Sequence, residues 1–335
     1  MRKLIIPENY SSKLSLRDTQ YAIKFIKDNF QKKLSESLNL QRISAPIIVL
    51  SDTGINDDLN GVERKVRFSM LNMEGEAEVV QSLAKWKRTA LHKYGFSVGE
   101  GLYTDMNALR RDDDVDNLHS IFVDQWDWEK VITDKERTVE YLKDTVRKIM
   151  TAVSQTKKEL NQKYTQLEND FSDEVFFITT QKLEDMYPDK TPKERENLIT
   201  EKYKTVFLMK IGGILKSGNK HDGRAPDYDD WDLNGDILMW NDTLKCSFEI
   251  SSMGIRVDKE SLMKQLKLTN HEDRVKFDYH KGILDDTLPL TIGGGIGQSR
   301  LCMIMTEKAH IGEVHCSVWP NEMKEKCNEG NIFLL

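Results

Sequence analysis

Glycine is concentrated in one short segment of the chain, where residues 291–301 read TIGGGIGQSRL. Because glycine lacks a Cβ, this backbone can approach a neighbouring strand or a planar ligand very closely. Arg300 follows the glycines at the start of an apolar run (Leu301, Ile304, Met305) that has helical spacing. The chain must therefore fold so that the glycine backbone packs directly against another strand or a ligand. Arg300 then places a cation in the first turn of the helix that follows.

Phosphate-binding motifs are the first explanation for such glycines, and the residues exclude two of them. A P-loop requires a Lys-Ser/Thr pair after its last glycine, and none follows here. A dinucleotide fingerprint opens a βαβ unit, for which too few residues follow Gly297. Two interpretations remain: a strand-to-helix turn whose glycines only permit close packing, or a purine above the glycines with a phosphate on Arg300. The arginine favours the nucleotide.

The composition favours a soluble globular protein, with 39% hydrophobic and 31% charged residues among 335. No apolar run approaches the roughly 18–20 residues that cross a bilayer, and the first residues become polar too early for a secretory signal. The net charge of -6 argues against nucleic-acid binding, which needs a basic face. The cysteines lack metal-binding spacing and indicate reduced thiols in the cytoplasm. These cysteines are Cys246, Cys302, Cys316 and Cys327.

The spacing of apolar residues, together with the positions of turn and cap residues, predicts alternating helices and strands. Helices are predicted at 18–38, 131–168, 191–203 and 258–268, with Thr191 and Asp258 as N-caps. Strands are predicted at 42–50, 205–212 and 287–292, and a hairpin at 235–257 turns around Asn241-Asp242. Pro46 cannot donate a ladder hydrogen bond, so its strand should lie at an edge or an interface. The pattern predicts one α+β domain over 1–335, an antiparallel sheet flanked by helices.

Four segments in a fixed order resemble the catalytic domain of class II aminoacyl-tRNA synthetases. The glycine run with Arg300 is similar to motif 3 of that class, and the helix, strand and Pro46 of 18–50 are similar to motif 1. Residues 108–129 (ALRRDDDVDNLHSIFVDQWDWE) are similar to motif 2. Residues 249–257 (EISSMGIRV) match the segment that holds Mg²⁺. The resemblance implies a homodimer assembled through 18–50.

The resemblance is closer to one family, the ammonia-dependent asparagine synthetases. It covers essentially the whole chain and rests on segments such as SLAKWKR (82–88), GEGLYTDMNALR (99–110), RAPDYDDW (224–231) and LNGDIL (233–238). The family implies that ATP activates the side-chain carboxylate of aspartate as β-aspartyl-adenylate, which ammonia converts to asparagine. Between Trp231 and Leu233 one residue stands where some members have a longer loop, which argues against a lid there.

The resemblance implies which residues bind ATP and Mg²⁺. Arg110 would bind the α-phosphate, Phe122 would lie near the adenine, and Arg300 would hold the γ-phosphate. Glu249 would be a Mg²⁺ ligand, with Asp236 as the second. The remaining nucleotide-binding residues implied are His119, Gly293, Gly294 and Gly295.

The resemblance also implies residues for ammonia and aspartate. Asp57 and Asp229 would hold ammonium and accept its proton, although Asp57 also suits a plain turn and Asp227 or Asp230 could replace Asp229. Gln125 and Asp127 alternate with Trp126 and Trp128 on a strand, so they should point to the same side. Asp127 would take the α-ammonium of aspartate and Gln125 its reacting carboxylate. Further substrate contacts are expected from Lys87, which also suits an exposed helix, and from Ser82, Ser251 and Ser252.

Three other functions were weighed against this one. An aspartyl-, asparaginyl- or lysyl-tRNA synthetase would need an anticodon-binding domain, for which the sequence is expected to leave no room. A non-catalytic paralogue that binds an amino acid would be expected to lose motif residues, but Arg110, Glu249 and Arg300 are present. A glutamine-dependent synthetase needs an N-terminal cysteine nucleophile, and position 2 is Arg2.

Overall fold

An eight-stranded sheet forms the centre of the molecule in a computed structural model that describes residues 4–59 and 63–335. The strands are β1 (Leu40–Arg42), β2 (Ile48–Leu50), β3 (Arg67–Met70), β4 (Met73–Val79), β5 (Gly101–Leu109), β6 (Phe122–Val131), β7 (Phe176–Thr179), β8 (Thr205–Met209), β9 (Asp229–Asn241), β10 (Cys246–Arg256) and β11 (Thr291–Gly297). The helices are α1 (Leu16–Leu38), α2 (Ala84–Lys93), α3 (Val139–Lys163), α4 (Thr180–Met186), α5 (Pro192–Tyr203), α6 (Lys259–Leu268), α7 (Asp278–Leu284), α8 (Gln298–Met305) and α9 (Asn321–Glu329).

The strand order of the large sheet is β1-β5-β6-β11-β10-β9-β8-β7. Its central pairs are antiparallel, and only the pairs at its two ends, β1 with β5 and β7 with β8, are parallel. A separate small sheet has the order β2-β4-β3. The predicted α+β class, with a largely antiparallel sheet flanked by helices, is confirmed.

Helices α1 and α3 cover one face of the large sheet, while α2 and the pair α4 and α5 cover the two ends of the opposite face and leave polar groups between them. Ile26 and Phe30 of α1, with Ile149 and Val153 of α3, are buried in the main hydrophobic core against Trp126 and Trp128 of β6. The Phe30 and Trp126 rings lie 4.8 Å apart between centroids. Because side chains alternate along a strand, residues 125, 127 and 129 of β6 face away from this core.

The predicted helix starts at Thr191 and Asp258 are confirmed. The Thr191 hydroxyl accepts from the Glu194 N–H, and Glu194 accepts in return from the Thr191 backbone, so both cap the first turn of α5. Asp258 caps α6 in the same way through the Ser261 N–H. No helix in the described ranges is long and apolar enough to span a membrane.

Several predicted boundaries were wrong, mostly where a neighbouring strand decides the conformation. The strand expected at 42–50 is divided between the two sheets, with Pro46 in the connection. The helix expected at 131–168 starts only at Val139, because β6 continues to Val131 through its pairing with β11. The strand expected at 205–212 ends at Met209, and residues 231–233 belong to strand β9 instead of a loop.

The glycine run is itself a strand, which corrects the strand predicted at 287–292. β11 spans Thr291–Gly297 and pairs with β6 on one side and β10 on the other. Two partner strands supply ladder hydrogen bonds that outweigh glycine's weak intrinsic preference for strands. Arg300 lies in the first turn of the following helix, α8, as predicted.

Candidate active site

A polar cavity of about 250 Å³ lies on the face of the sheet that α1 and α3 leave open. It is lined from β6, β10 and β11 of the sheet, from α2, and from two loops around residues 57–59 and 222–229. The sequence-predicted residues in its lining are Asp57, Ser82, Lys87, Arg110, Gln125, Asp127, Asp229, Glu249, Ser252, Gly294 and Gly295. The fold therefore brings most of the predicted site together from segments far apart in the chain.

The glycines of β11 make room for the polar side chains of β6. Gly295 pairs with Asp127, and a Cβ on it would overlap the Gln125 side-chain oxygen and lie 2.7 Å from an Asp127 oxygen. A Cβ on Gly293 would overlap the Glu129 carboxylate. On the opposite face, a Cβ on Gly294 would collide with Met253 in the core. The absence of side chains on β11 thus permits close strand packing and also leaves the cavity floor open. The packing interpretation and the nucleotide interpretation of the glycine run are therefore compatible.

Lys87 and Asp127 form a buried ion pair inside the cavity. Their Nζ and Oδ2 atoms lie 3.2 Å apart, and Nζ also donates to the Gly294 carbonyl at 2.9 Å. Lys87 is 1% exposed, so the alternative of an exposed helix cation is wrong. Burial lowers the pKa of Lys87 from its usual value, although the Asp127 charge opposes that effect. The pair leaves further donor and acceptor atoms for a zwitterionic ligand.

Arg256 lines the same cavity, although the sequence pattern did not predict it as a site residue. Its guanidinium donates to both oxygens of Glu129 at 3.0 Å and is paired with Asp229. Glu129 also accepts from the Thr291 hydroxyl at 2.7 Å. Burial alone would raise the pKa of Glu129, but Arg256 outweighs it and the pKa is lowered. Glu129 could have been predicted because it continues the spacing of Gln125 and Asp127 on β6.

The three acids that the sequence could not separate have different environments. Asp229 lines the cavity, whereas Asp230 bonds to Arg137 at 3.0 Å behind it. Asp227 is fully buried and accepts from Arg274 at 2.8 Å. Of these three residues, Asp229 is therefore the one that a substrate in the cavity can meet.

Asp57 lies in the cavity wall with neutral donors on both carboxylate oxygens. The Ser82 hydroxyl donates to Oδ2 at 2.8 Å, and the Leu59 N–H donates to Oδ1 at 3.0 Å. The preceding Asn56 fixes this loop by bonding to Glu78 and to the Gln81 N–H. Asp57 is thus held in place by neutral hydrogen-bond donors, whereas Asp229 is held by the guanidinium of Arg256.

Of the predicted nucleotide-binding arginines, Arg110 lines the cavity, whereas Arg300 lies outside the lining and beside Glu249. Arg110 donates from Nε and Nη2 to the Gln81 carbonyl at 3.3 Å. Arg300 donates from Nη1 to the Glu249 carbonyl at 2.9 Å, with the carboxylate 3.7 Å away. Arg224 also lines the cavity and was missed, although it lies within the quoted RAPDYDDW segment.

The other predicted nucleotide and substrate residues lie outside the cavity lining. Phe122 packs against His315 with 4.4 Å between ring centroids, and His119 Nδ1 lies 2.8 Å from Asp116. Ser251 is buried, and its hydroxyl has no hydrogen-bond partner among the described residues. Gly293 is covered by the Glu129 carboxylate.

Of the predicted metal ligands, Glu249 lines the cavity, whereas Asp236 lies outside the lining, on β9 opposite Ser252 of β10. A β-bulge shifts the register of β10 against β9 between Glu249 and Ser251. Because of this shift, Glu249 and Ser252, which are three positions apart, both line the cavity. Asp236 is paired with Arg224. Burial raises the pKa of Asp236 to about 8, with Glu249 and Asp222 adding to this effect and Arg224 opposing it.

This donor set fits a metal ion that arrives with its nucleotide. In the described part of the chain, no three His, Cys, Asp or Glu residues are arranged to hold a metal by themselves. Mg²⁺ commonly binds through one or two carboxylates together with substrate phosphates. Glu249 in the lining, with Asp236 on the adjacent strand, supplies one or two carboxylates of this kind.

Sequence comparisons give one consistent result over the whole chain. A family model described as aspartate-ammonia ligase matches residues 17–331. The aspartate–ammonia ligase of Clostridium tetani is 58% identical over 334 residues, which are 99% of this chain and 98% of that protein. The aspartate–ammonia ligase of Levilactobacillus brevis is 56% identical over 333 residues, 99% of each chain.

Structural comparisons agree with the fold. The asparaginyl-tRNA synthetase of Entamoeba histolytica, in complex with asparaginyl-adenylate, superposes with a TM-score of 0.66 at 14% identity, covering 90% of this chain and 69% of the other. That of Pyrococcus horikoshii, also complexed with asparaginyl-adenylate, gives 0.66 at 17% identity and covers 96% and 77%. At such identities the likeness concerns the fold, which is that of class II synthetase catalytic domains.

Proposed function

The chain belongs to the aspartate–ammonia ligase family and makes L-asparagine from L-aspartate, ammonia and ATP, and we propose that both half-reactions occur in the cavity over Gly294 and Gly295. The observation that carries the proposal is the lining of this one cavity. It combines the Lys87–Asp127 pair, suited to a zwitterion, with Arg110, suited to a phosphate. Two further carboxylates, Asp57 and Asp229, complete the wall.

Aspartate requires partners for two carboxylates and one ammonium. Lys87 and Arg256 are cations that line the cavity, and Asp127 is the acid beside Lys87. We assign the α-ammonium to Asp127 and the reacting carboxylate to Gln125, whose amide can donate without neutralising that carboxylate. Arg256 and Lys87 are assigned to the α-carboxylate, with Ser252 as a hydroxyl donor, while the single Ser82 proton is donated to Asp57. Buried charges require such paired neighbours, because an unpaired one carries a large desolvation cost.

In the first half-reaction, the side-chain carboxylate of aspartate attacks the α-phosphorus of ATP. A new bond forms between the carboxylate oxygen and the α-phosphorus. The bond between the α-phosphorus and the oxygen that bridges to the β-phosphorus breaks, and pyrophosphate leaves. Negative charge on the phosphate oxygens is stabilised by cations held in place beforehand, a role we assign to Arg110 and Arg300. Mg²⁺ held by Glu249 and Asp236 would neutralise phosphate charge as a hard cation.

In the second half-reaction, ammonia attacks the acyl carbon of β-aspartyl-adenylate, and AMP leaves with the electrons of the broken C–O bond. Ammonium is the abundant form in solution, so a carboxylate must attract it and remove a proton. Asp229 is already paired with Arg256, whereas Asp57 accepts from the neutral Ser82 hydroxyl. We therefore assign the proton-accepting role to Asp57, with Asp229 as the second anion of the ammonium site.

Incubation with ATP, Mg²⁺, aspartate and ammonium, followed by identification of the nucleotide product, tests this function. We expect AMP and pyrophosphate in equal amounts with asparagine. ADP as the product would exclude an adenylate, and AMP release at the same rate without ammonia would contradict the ligase mechanism. A protein that only binds the amino acid would release neither nucleotide.

Replacing Asp236 with asparagine is expected to raise the Mg²⁺ concentration for half-maximal pyrophosphate exchange by about 10-fold, a typical cost of weakening a metal site. The amide keeps the shape of the side chain but loses the charge that attracts the cation. Asp232→Asn is the matched control, because Asp232 lies on the same strand and is exposed. An unchanged Mg²⁺ dependence in Asp236→Asn would show that Asp236 does not hold the metal.

We propose a homodimer, refining the segment expected from the sequence. The apolar face of α1 is buried in its own core, so what remains for a partner is apolar surface on the small sheet and beside it. The exposed residues there are Ile47, Ile48, Leu50, Phe68, Leu71 and Met73. Surfaces of this kind mark protein interfaces, and isologous dimers are the commonest assemblies.

The double variant Ile48→Asp/Phe68→Asp is expected to raise the dimer dissociation constant by about 100-fold or more, since buried charges at an interface are costly. Sedimentation velocity at micromolar concentration measures this change. Leu268→Asp is the control, because Leu268 is equally apolar and exposed but lies at the end of α6. A wild-type protein that sediments as a fully active monomer would refute the dimer.

We also propose that the protein acts in the cytoplasm as a single catalytic domain, without a nucleic-acid or membrane partner. The four cysteines are free thiols, which suits a reducing compartment. The net charge of -6 suits small charged substrates better than a phosphate backbone. Strands from the first and last thirds of the chain share the large sheet, which supports one folding unit.

A further inference from the structure

A chain of charged side chains runs behind the wall of the cavity and outside its lining. Arg274 donates from Nη1 to Asp227 at 2.8 Å, and its Nη2 lies 3.1 Å from an Asp58 oxygen. One guanidinium thus joins two carboxylates that lie far apart in the sequence. Such planar, two-sided contact is characteristic of arginine, and lysine cannot reproduce it.

The two joined acids lie next to the residues we assign to ammonium. Asp58 directly follows Asp57, and Asp227 precedes Asp229 by two positions. Asp57 and Asp229 line the cavity, whereas Asp58, Asp227 and Arg274 do not. Arg274 therefore connects, from behind the cavity wall, the loop of Asp57 with the segment that leads into β9 and Asp229.

The loop of Asp57 is also docked on the segment of Arg274 by shape. Gly54 has a φ of +72° and lies against the ring of Phe277, so that a Cβ there would overlap the ring. Ile55 packs against the small core formed by Val257, Leu262, Leu266, Tyr279, Ile283 and Leu288. The turn of 272–276 is thus a common support for the loop and for Arg274.

Each acid also has a lysine beside it, Lys85 for Asp227 and Lys65 for Asp58, so the particular contribution of Arg274 is the connection. Asp227 also lies 3.1 Å from His280 Nε2 and 3.6 Å from Lys85 Nζ. Asp58 also lies 2.7 Å from Lys65 Nζ. Removing Arg274 would leave neither carboxylate without a neighbouring cation, but it would remove the guanidinium that contacts both of them.

We propose that Arg274 is a positioning residue for the ammonia step, which sets the separation of Asp57 and Asp229 through Asp58 and Asp227. The inference rests on the proposed role of Asp57 in that step. Adenylate formation depends on the arginines assigned to the phosphates and on the groups that bind aspartate, and a shift that leaves Asp229 paired with Arg256 keeps these groups in place. Small displacements of a proton acceptor lower a rate strongly, because the reacting atoms must be aligned.

The test is Arg274→Gln, measured for both half-reactions. We expect asparagine formation to fall by about 10–100-fold, the cost of a misplaced reacting group, while aspartate-dependent ATP–pyrophosphate exchange stays within about 3-fold of the wild type. Adenylate that ammonia does not capture reacts with water, so the ratio of AMP to asparagine should rise above one. Arg274→Lys should show the same split, because a point charge does not join both acids.

Two further variants protect the interpretation against a loss of folding. Arg195→Gln is the matched control, since Arg195 is a buried arginine paired with Glu184 away from the cavity, and it should leave both half-reactions unchanged. Asp58→Asn removes the carboxylate at the other end of this row of charged side chains. It should likewise lower asparagine formation while leaving ATP–pyrophosphate exchange nearly unchanged. In combination with Arg274→Gln it should add little, as expected for residues that act as one unit.

Equal loss of both half-reactions in Arg274→Gln and Asp58→Asn would overturn the inference, as would the same split in Arg195→Gln. Either of these results would leave the proposed function intact, provided that Asp57→Asn itself loses only asparagine formation. Loss of exchange in Asp57→Asn would instead refute the role of Asp57, whatever the Arg274 variants do.

Discussion

Replacing Arg300 with alanine is expected to lower the rate of adenylate formation by about 10²–10⁴-fold, the range for losing a preorganised charge at a reacting phosphate. Arg300 is held in the first turn of α8, with its guanidinium anchored on the Glu249 carbonyl at 2.9 Å. It therefore does not have to reorient as charge develops on the phosphate. Arg110→Ala should cause a similar loss, because Arg110 lines the cavity that Glu249, the neighbour of Arg300, also lines. Aspartate-dependent ATP–pyrophosphate exchange measures both effects.

The control for these variants is Arg147→Ala, which removes a half-exposed arginine from α3 on the helical side of the sheet. It should leave exchange unchanged, and all three variants should keep the sedimentation behaviour of the wild type. Near-normal exchange in either Arg300→Ala or Arg110→Ala would mean that the nucleotide lies elsewhere.

Local patterns predicted the parts of the fold that depend on neighbours in sequence. The cap at Thr191 needs only Glu194 three residues later, and the alternation of Gln125 and Asp127 with two tryptophans needs only the period of a strand. Both were predicted and both are confirmed. The ends of β6 and β11 were not predicted, because they depend on pairing between strands far apart in the chain.

The same distinction explains what was missed in the candidate site. Arg256 was quoted within a motif, yet nothing local reveals that Glu129 and Asp229 meet its guanidinium from two other strands. Asp227, Asp229 and Asp230 are near neighbours in sequence, so composition could not rank them. Their separation depends on Arg274 and Arg137, which lie on distant segments.

Asp57→Asn should separate the two half-reactions. Adenylate formation needs cations around the α-phosphate, to which a carboxylate at the amine side contributes nothing. We expect ATP–pyrophosphate exchange to stay within about 3-fold of the wild type, while asparagine formation falls by about 10²–10⁴-fold, the usual contribution of a general base. The amide oxygen can still accept from the Leu59 N–H, and the amide NH2 can donate to the Ser82 hydroxyl oxygen in the reverse direction, so the loop should keep its conformation.

The chemical reason is that an amide can neither attract ammonium by charge nor take its proton. Asp52→Asn is the matched control, because Asp52 lies in the same loop but is exposed, and both of its half-reactions should be normal. Asp229→Asn provides the comparison within the cavity: its carboxylate is paired with Arg256, so its loss also unbalances the groups assigned to aspartate and should weaken exchange. If Asp57→Asn lost exchange and asparagine formation equally, Asp57 would belong to aspartate binding. Ammonia would then have to meet the adenylate at Asp229.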